Sequence, residues 1–448
     1  MAETLSITLS LERLSNRIGK CQVNGEILVD IEQLIEDGNL TVPLANHAAI
    51  PNVGPAPDEE TIRKKAPPHA EELARAAGYS LESHTITTAD GYHLVIHRLL
   101  AQQPELDNLF RDGNQTHKPV VLLQHGIAQS SSEWLINESG KSLAMFLVDN
   151  GYDVWLGNSR GNKYSNSHLT IRGNTMEYYN FTFHEVGQYD IPATIDLVLK
   201  VTEQPQLNYI GCSIGATVFF VAMSAHPEYA SRVRFMGALS PLAFLSHTQT
   251  PIKLLAPHIA EIKDASIKLQ VMRINPETLP NMINTQLGKL CFWRQLSRSL
   301  CNSIYKMLDE FGLRKIEEEH LDNLWKYIPT TTSSKTFIHL LQLMTNEELF
   351  EEYDFGPDGN AKRYGSGVPP EYDLNNVNTP VVIFTGKGEM FSTSQDIEVL
   401  KRALPFMVRH MEADSSFKVH TDFTHGANAY EQIFKPILFI LNFYNKQT

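Results

Sequence analysis

The chain has 448 residues, enough for one large α/β domain with insertions or for two domains, and its 42% of hydrophobic residues can fill a sizeable core. A formal charge of −13 argues against nucleic acid as a partner, since phosphate binding calls for clustered Lys and Arg, and it leaves no polybasic patch for anionic lipid. The four cysteines, Cys21, Cys212, Cys291 and Cys301, are too few for a disulfide scaffold and hold no C-x-x-C pair, so a zinc site is not expected.

Residues 1–69 read as an N-terminal extension and linker of unreadable function. Its end, Ala48 to Pro68, is rich in proline, alanine and charge. Met1 to Val29 lacks an apolar stretch behind a basic start, and no apolar run reaches the roughly 18 residues of a membrane helix. The expectation is a chain without signal peptide or transmembrane span, with a cytoplasmic location favoured. Glycosylation sequons begin at Asn39, Asn114, Asn137 and Asn180, near the number chance supplies, and do not settle the compartment.

The main body spans 70–448. Two alternating runs around Asp90-Gly91, within Ser83 to Leu100, predict a β-hairpin. Pro119 to Gln124 is a continuous apolar run that predicts a buried parallel strand, followed by a loop beginning His125-Gly126-Ile127. A helix over Ser142 to Asp149, a strand over Tyr152 to Leu156 and a helix over Tyr189 to Leu199 follow. Next comes an apolar strand, Leu207 to Ile210, then Gly211-Cys212-Ser213-Ile214-Gly215, then the apolar helix start Ala216 to Met223. A strand, a sharp G-x-S-x-G turn and a helix make the nucleophile elbow of an α/β-hydrolase. The glycines are needed because the strained turn leaves no room for Cβ atoms beside the serine backbone. Phe235 to Leu239 is the next strand. Strands alternating with helices imply a mostly parallel central sheet with helices on both faces. From about 244 to 369 the alternation gives way to helical spacing, as at Leu321, Leu324, Trp325 and Ile328, which reads as an inserted, mainly helical cap or lid. Pro380 to Thr385 restores the strand pattern, and Phe434 to Tyr444 is a closing helix.

A serine hydroxyl becomes a nucleophile when a base takes its proton and a third group orients the base. In this fold the order is Ser, acid, His. Glu389, just after the late strand, is the first choice for the acid, and Asp396 is the reserve. Of the two histidines before the last helix, His420 is favoured over His425 as the base. Ile214, after the nucleophile, and Ile127, in the loop after Gln124, are the expected backbone N–H donors of the oxyanion hole. Cys212 precedes the apex of the turn, where its side chain should point inward to pack.

Leu123-Gln124-His125-Gly126-Ile127, Ser130-Ser131-Ser132-Glu133-Trp134 and the block Gly151 to Ser165 (GYDVWLGNSRGNKYS) resemble the acid lipase family, which includes gastric lipase, lysosomal acid lipase and fungal steryl ester hydrolases. Tyr189 to Ala193, Glu352 to Gly356 and Pro369 to Asp373 are similar to the same family. The resemblance runs from about residue 70 to 445. It implies Ser213 as nucleophile, His420 in a His-x-Asp-Phe motif as base, Glu389 where the family has its catalytic aspartate, and a lid-bearing cap over an apolar cleft. Cys291 and Cys301 fall near two family cap cysteines. This chain departs from the family's G-H-S-Q-G elbow at Cys212 and Ile214, and from its acid at Glu389. The activity implied is cleavage of lipid esters, acylglycerol or steryl, through an acyl-enzyme, with no cofactor or metal and with transient contact at a membrane or lipid-droplet surface. The rival readings are a diverged member with acyl-transfer or specialised-metabolite esterase chemistry, and a non-catalytic lipid-binding homologue.

Overall fold

The computed structural model describes residues 69–101, 118–136, 142–173, 175–268, 330–417, 420–426 and 428–446, together with the backbone of 22–23, 26–27 and 273–274. The chain divides into two compact units, Met1–Pro55 and Ala56–Thr448. In the first, Gln22–Val23 pairs antiparallel with Glu26–Ile27. Cys291 and Cys301, the helical spacing around Leu321 to Ile328, and the sequons at Asn39, Asn114 and Asn137 lie outside the described residues.

In the second unit, helix α1 (His69–Ala76) leads into the antiparallel hairpin of β1 (Tyr79–Thr87) and β2 (Tyr92–Ala101). Its turn closes on Gly91 at φ +96°, a conformation only glycine adopts without strain. Then come β3 (Val120–Gln124), α2 (Leu143–Asp149), β4 (Asp153–Leu156), the short β5 (Ser167–His168), α3 (Ile191–Thr202), β6 (Leu207–Cys212), α4 (Ile214–Ala225) and β7 (Val233–Leu239). After an excursion from the sheet, β8 (Val381–Gly386), a helix over Ser394–Ala403, β9 (Met407–Ala413) and a final helix, Lys435–Asn445, complete the body.

Among the described residues these nine strands form one sheet in the order β9-β8-β7-β6-β3-β4-β2-β1, with β5 on β2. The six strands from β9 to β4 run parallel, and the hairpin joins antiparallel to β4. This is the mostly parallel α/β sheet expected of the alternating pattern. All five residues of β3 are buried because the sheet is covered on both faces, which is why the strand reads as unbroken apolar sequence. Val120 and Leu122 pack with α3 and α4 on one face. Val121 and Leu123 pack with α2 and the final helix on the other. Each such side chain contributes roughly 1.5–3 kcal/mol when fully buried. Helix α4 is buried for ten consecutive residues, Ile214 to Met223, so it lacks a polar face.

Between β7 and β8 the described elements are a 3-10 turn over Pro251–His258 that runs into helix α5 (Ile259–Lys268), then α6 (Ser334–Leu343) and α7 (Pro357–Tyr364). Arg273–Ile274 pairs antiparallel with Thr332–Ser333 where the chain leaves and re-enters the described part. None of the described helices is long and apolar enough to cross a membrane.

Candidate active site

Ser213 sits between β6 and α4 at φ +58°, ψ −124°, a strained backbone for a residue with a side chain. The glycines explain how the turn closes. A Cβ on Gly211 would lie 2.4 Å from the backbone of Gly215, and one on Gly215 would lie 2.2 Å from the carbonyl oxygen of Gln124. The Ser213 N–H donates to Leu239 O at 2.8 Å, which ties the elbow to the end of the neighbouring strand β7. Cys212 is buried in the core on the opposite side of the sheet from α4, as expected of its place in the turn. Burial, with the nearby charges of Glu133 and Glu389, pushes its thiol well above the ordinary range, so it is not a thiolate nucleophile.

Glu389 lies three residues beyond β8, and its carboxylate has both oxygens doubly engaged. Oε1 accepts from His420 Nδ1 at 2.9 Å and from the Phe391 N–H at 3.0 Å. Oε2 accepts from the Ser240 hydroxyl at 2.6 Å and from the Ser392 N–H at 3.1 Å. A carboxylate offers about four acceptor positions, and here four donors fill them. Burial alone would raise its pKa. The bond and charge of His420, the Ser240 hydroxyl and the Phe391 N–H outweigh that and hold the carboxyl below its ordinary value. The His420 ring also lies 3.1 Å from Ser240 Oγ and packs against Phe391, with centroids 4.8 Å apart. Because Nδ1 donates to the carboxylate, Nε2 is left as the acceptor. Nε2 of His420 and Oγ of Ser213 are both buried without a hydrogen-bond partner.

Ser240 is the residue sequence reasoning missed. It follows Leu239 directly, at φ +46°, fully buried, and it links the strand beside the elbow to both the carboxylate and the imidazole. No short motif marks it. The signal available was a serine at the carboxyl end of a buried strand next to the elbow strand. Asp396, the reserve acid, does not meet His420. It lies in the helix Ser394–Ala403, bonded to its own N-cap Thr393 and to His247 Nδ1 at 3.0 Å. His425 likewise faces elsewhere, toward Glu133 and the carbonyl of Ile136.

The loop after β3 lies against Ser213. A Cβ on Gly126 would lie 3.2 Å from the Ser213 Cβ. The Gly126 N–H is occupied by Gln129 Oε1 at 2.8 Å. Ile214, the first residue of its helix, has no carbonyl a turn earlier to take its N–H. Ile127 and Ile214 line one cavity together with Phe181, Phe183 and Val186.

The model of the α/β hydrolase fold matches residues 119–415, and that of a partial α/β-hydrolase lipase region matches residues 70–138. Human gastric triacylglycerol lipase is 30% identical over 82% of this chain and 88% of its own length. Human lipase member K is 31% identical over 82% and 89%, and human lipase member J is 30% identical over 81% and 96%. The chain belongs to the α/β-hydrolase family. Within it the chain groups with the lipases, enzymes of the carboxylic-ester-hydrolase class.

In this lipase-type hydrolase the block Gly157 to Ser165 holds the scaffold behind the elbow. The Arg160 guanidinium, 2% exposed, donates to both oxygens of Asp90 in the hairpin turn and to Asp190 ahead of α3, and stacks 4.0 Å from the Tyr92 ring. Asn158 accepts from the Ser131 N–H and donates to Val95 O. His125 donates through Nδ1 to Gly126 O and accepts the Ser159 N–H at Nε2. The loops after β3 and β4 are thereby fixed to one another.

Proposed function

We propose that the protein hydrolyses lipid esters through a Ser213–His420–Glu389 triad. His420 Nε2 takes the proton of Ser213 Oγ as that oxygen bonds to the ester carbonyl carbon. The N–H groups of Ile214 and Ile127 hold the oxyanion. Collapse breaks the carbonyl carbon–alkoxy bond, and His420 returns the proton to the departing alcohol. Water then attacks the acyl-enzyme by the same route and frees the acid and Ser213. Glu389 orients the imidazole and stabilises its cation.

The observation that carries this reading is the 2.9 Å bond from His420 Nδ1 to a carboxylate filled by four donors, beside the strand that pairs with the elbow. The likeness to gastric triacylglycerol lipase supports long-chain acylglycerol esters as substrates, with steryl esters as the alternative. Such substrates are presented at a lipid surface, which implies a transient encounter with one.

The test is turnover of p-nitrophenyl, triacylglycerol and steryl esters of increasing chain length by the wild type and by Ser213→Ala, with fluorophosphonate labelling of both. Turnover and labelling lost in Ser213→Ala are expected. Equal turnover by the two proteins would refute the mechanism.

A further inference from the structure

Glu133 is a buried carboxylate that the ester chemistry does not use. It lies in the 3-10 turn Ser131–Trp134, in the segment that continues the loop carrying Gly126 and Ile127, and it is 1% exposed. Its Oε1 accepts the Thr424 hydroxyl at 2.7 Å and lies 2.9 Å from His425 Nε2. The other ring nitrogen of His425 donates to the carbonyl of Ile136 at 3.0 Å. Thr424 and His425 belong to the short helix Asp422–His425, which starts two residues after His420. Three contacts therefore pin the segment behind His420 onto Ser131–Ile136, and two of them converge on one oxygen.

Burying a carboxylate costs several kcal/mol that pairing only partly offsets, so the contact is weak evidence of stabilisation. The other oxygen, Oε2, is buried with no partner, a further cost that an apolar side chain would avoid. What the pair supplies is registration. A carboxylate oxygen met by a hydroxyl at 2.7 Å and an imidazole nitrogen at 2.9 Å holds one geometry, whereas an apolar contact tolerates sliding.

We infer that Glu133 is a positioning residue: by holding Thr424 and His425 it fixes the His420 segment relative to the loop that carries the second oxyanion donor. This rests on the reading of His420 as the base. Glu133 touches no reacting atom. It acts through the distance between the imidazole and the oxyanion loop, where a displacement near 1 Å is enough to cost about a hundredfold in rate.

The test uses the full chain with Glu133→Gln, His425→Gln and the double variant. The measurements are kcat, KM, the rate of fluorophosphonate labelling at Ser213, and amide exchange over 421–425. Glu133→Gln should lower kcat and the labelling rate roughly ten- to hundredfold, with KM within about threefold. The double variant should be no worse than the poorer single one, because both remove the same contact. If Glu133→Gln fails to fold, His425→Gln carries the same expectation. Unchanged kcat and labelling, or additive losses in the double variant, would overturn the proposal while leaving the triad standing. Exchange over 421–425 reads the clamp apart from the chemistry. It should quicken in Glu133→Gln, and unchanged exchange would overturn the clamp even if Ser213 proved unreactive.

Discussion

The Ser240 hydroxyl donates to Glu389 Oε2 at 2.6 Å while Glu389 Oε1 holds His420 Nδ1 at 2.9 Å. Glutamate carries one methylene more than the aspartate expected here from the family resemblance, so its carboxylate has an extra torsion to restrain. Ser240, with the N–H groups of Phe391 and Ser392, supplies that restraint.

Removing the hydroxyl should therefore impair the reaction. A hydrogen bond to a charged group is worth about 1.5–3 kcal/mol, so Ser240→Ala should lower kcat/KM roughly ten- to hundredfold. The Ser240 bond is one of the causes that depress the Glu389 carboxyl, and its loss raises that pKa. A carboxylate protonated at higher pH moves the acid limb of the pH–rate profile upward. Ser240→Gly also lacks the hydroxyl but relieves the +46° backbone. It should lose as much activity as alanine and melt higher. Full activity in the glycine variant would assign the effect to the backbone instead.

Glu389→Gln keeps the shape but no longer favours Nδ1–H on the imidazole. The comparable acid-to-amide change in a serine protease costs about 10⁴ in kcat, and a loss of that order is expected here. Circular dichroism and Tm should remain close to wild type. A loss of less than about tenfold, far short of that figure, would place the orienting acid elsewhere.

The glycines around Ser213 should separate folding from catalysis. Gly215→Ala forces a Cβ to 2.2 Å from backbone at Gln124, which cannot yield without moving β3. Loss of soluble protein or a large fall in Tm is expected. Gly126→Ala meets first the end of the Gln129 side chain, at 2.6 Å, which can swing aside. That variant should fold, yet label slowly with fluorophosphonate, because the new methyl also crowds Ser213 at 3.2 Å. Expression, Tm and labelling rate of the two variants check this.

Three buried histidines make the fold sensitive to acid. Burial lowers His97 to about 3, His125 to about 4 and His339 to about 3. All three stay neutral in the native state, whereas in the unfolded chain each takes up a proton near pH 6.5. Their contribution is complete above about pH 6.5 and shrinks as pH falls toward 4, since the unfolded state binds the extra protons. The slope should approach about 4 kcal/mol per pH unit in that window if all three act independently. Urea unfolding between pH 7 and pH 4 measures it, and His97→Gln should flatten the slope by about a third. Stability unchanged down to pH 4 would contradict the assignment.

The GYDVWLGNSRGNKYS block was the most specific sequence signal, and the structure gives it a physical reason. Arg160 joins Asp90, Asp190 and Tyr92, residues separated by up to about a hundred positions, so the block's composition is tightly constrained. Asp396 and Glu389 could be ranked in the sequence by their distance from the late strand. What set them apart was partnership: Asp396 is held by His247, on the excursion after β7, and such a contact leaves no mark in local spacing. His420 and His425 differ in the same way, by the carboxylate each faces.

Periodicity and the elbow motif by themselves determined the parallel sheet and the strand–turn–helix at Ser213, while the resemblance of the GYDVWLGNSRGNKYS block pointed to the family. Each depends on neighbours within a few residues: the two-residue repeat of a strand, the lack of a polar face in α4, the absence of Cβ atoms at Gly211 and Gly215. Only the tertiary structure decided that Ser240 completes the shell of Glu389 and that Glu133 anchors Thr424 and His425. Those hydrogen bonds join residues about 150 and 290 positions apart. Directional bonds act over about 3 Å, and which side chains come within that reach is set by how strands and loops stack, not by their order along the chain.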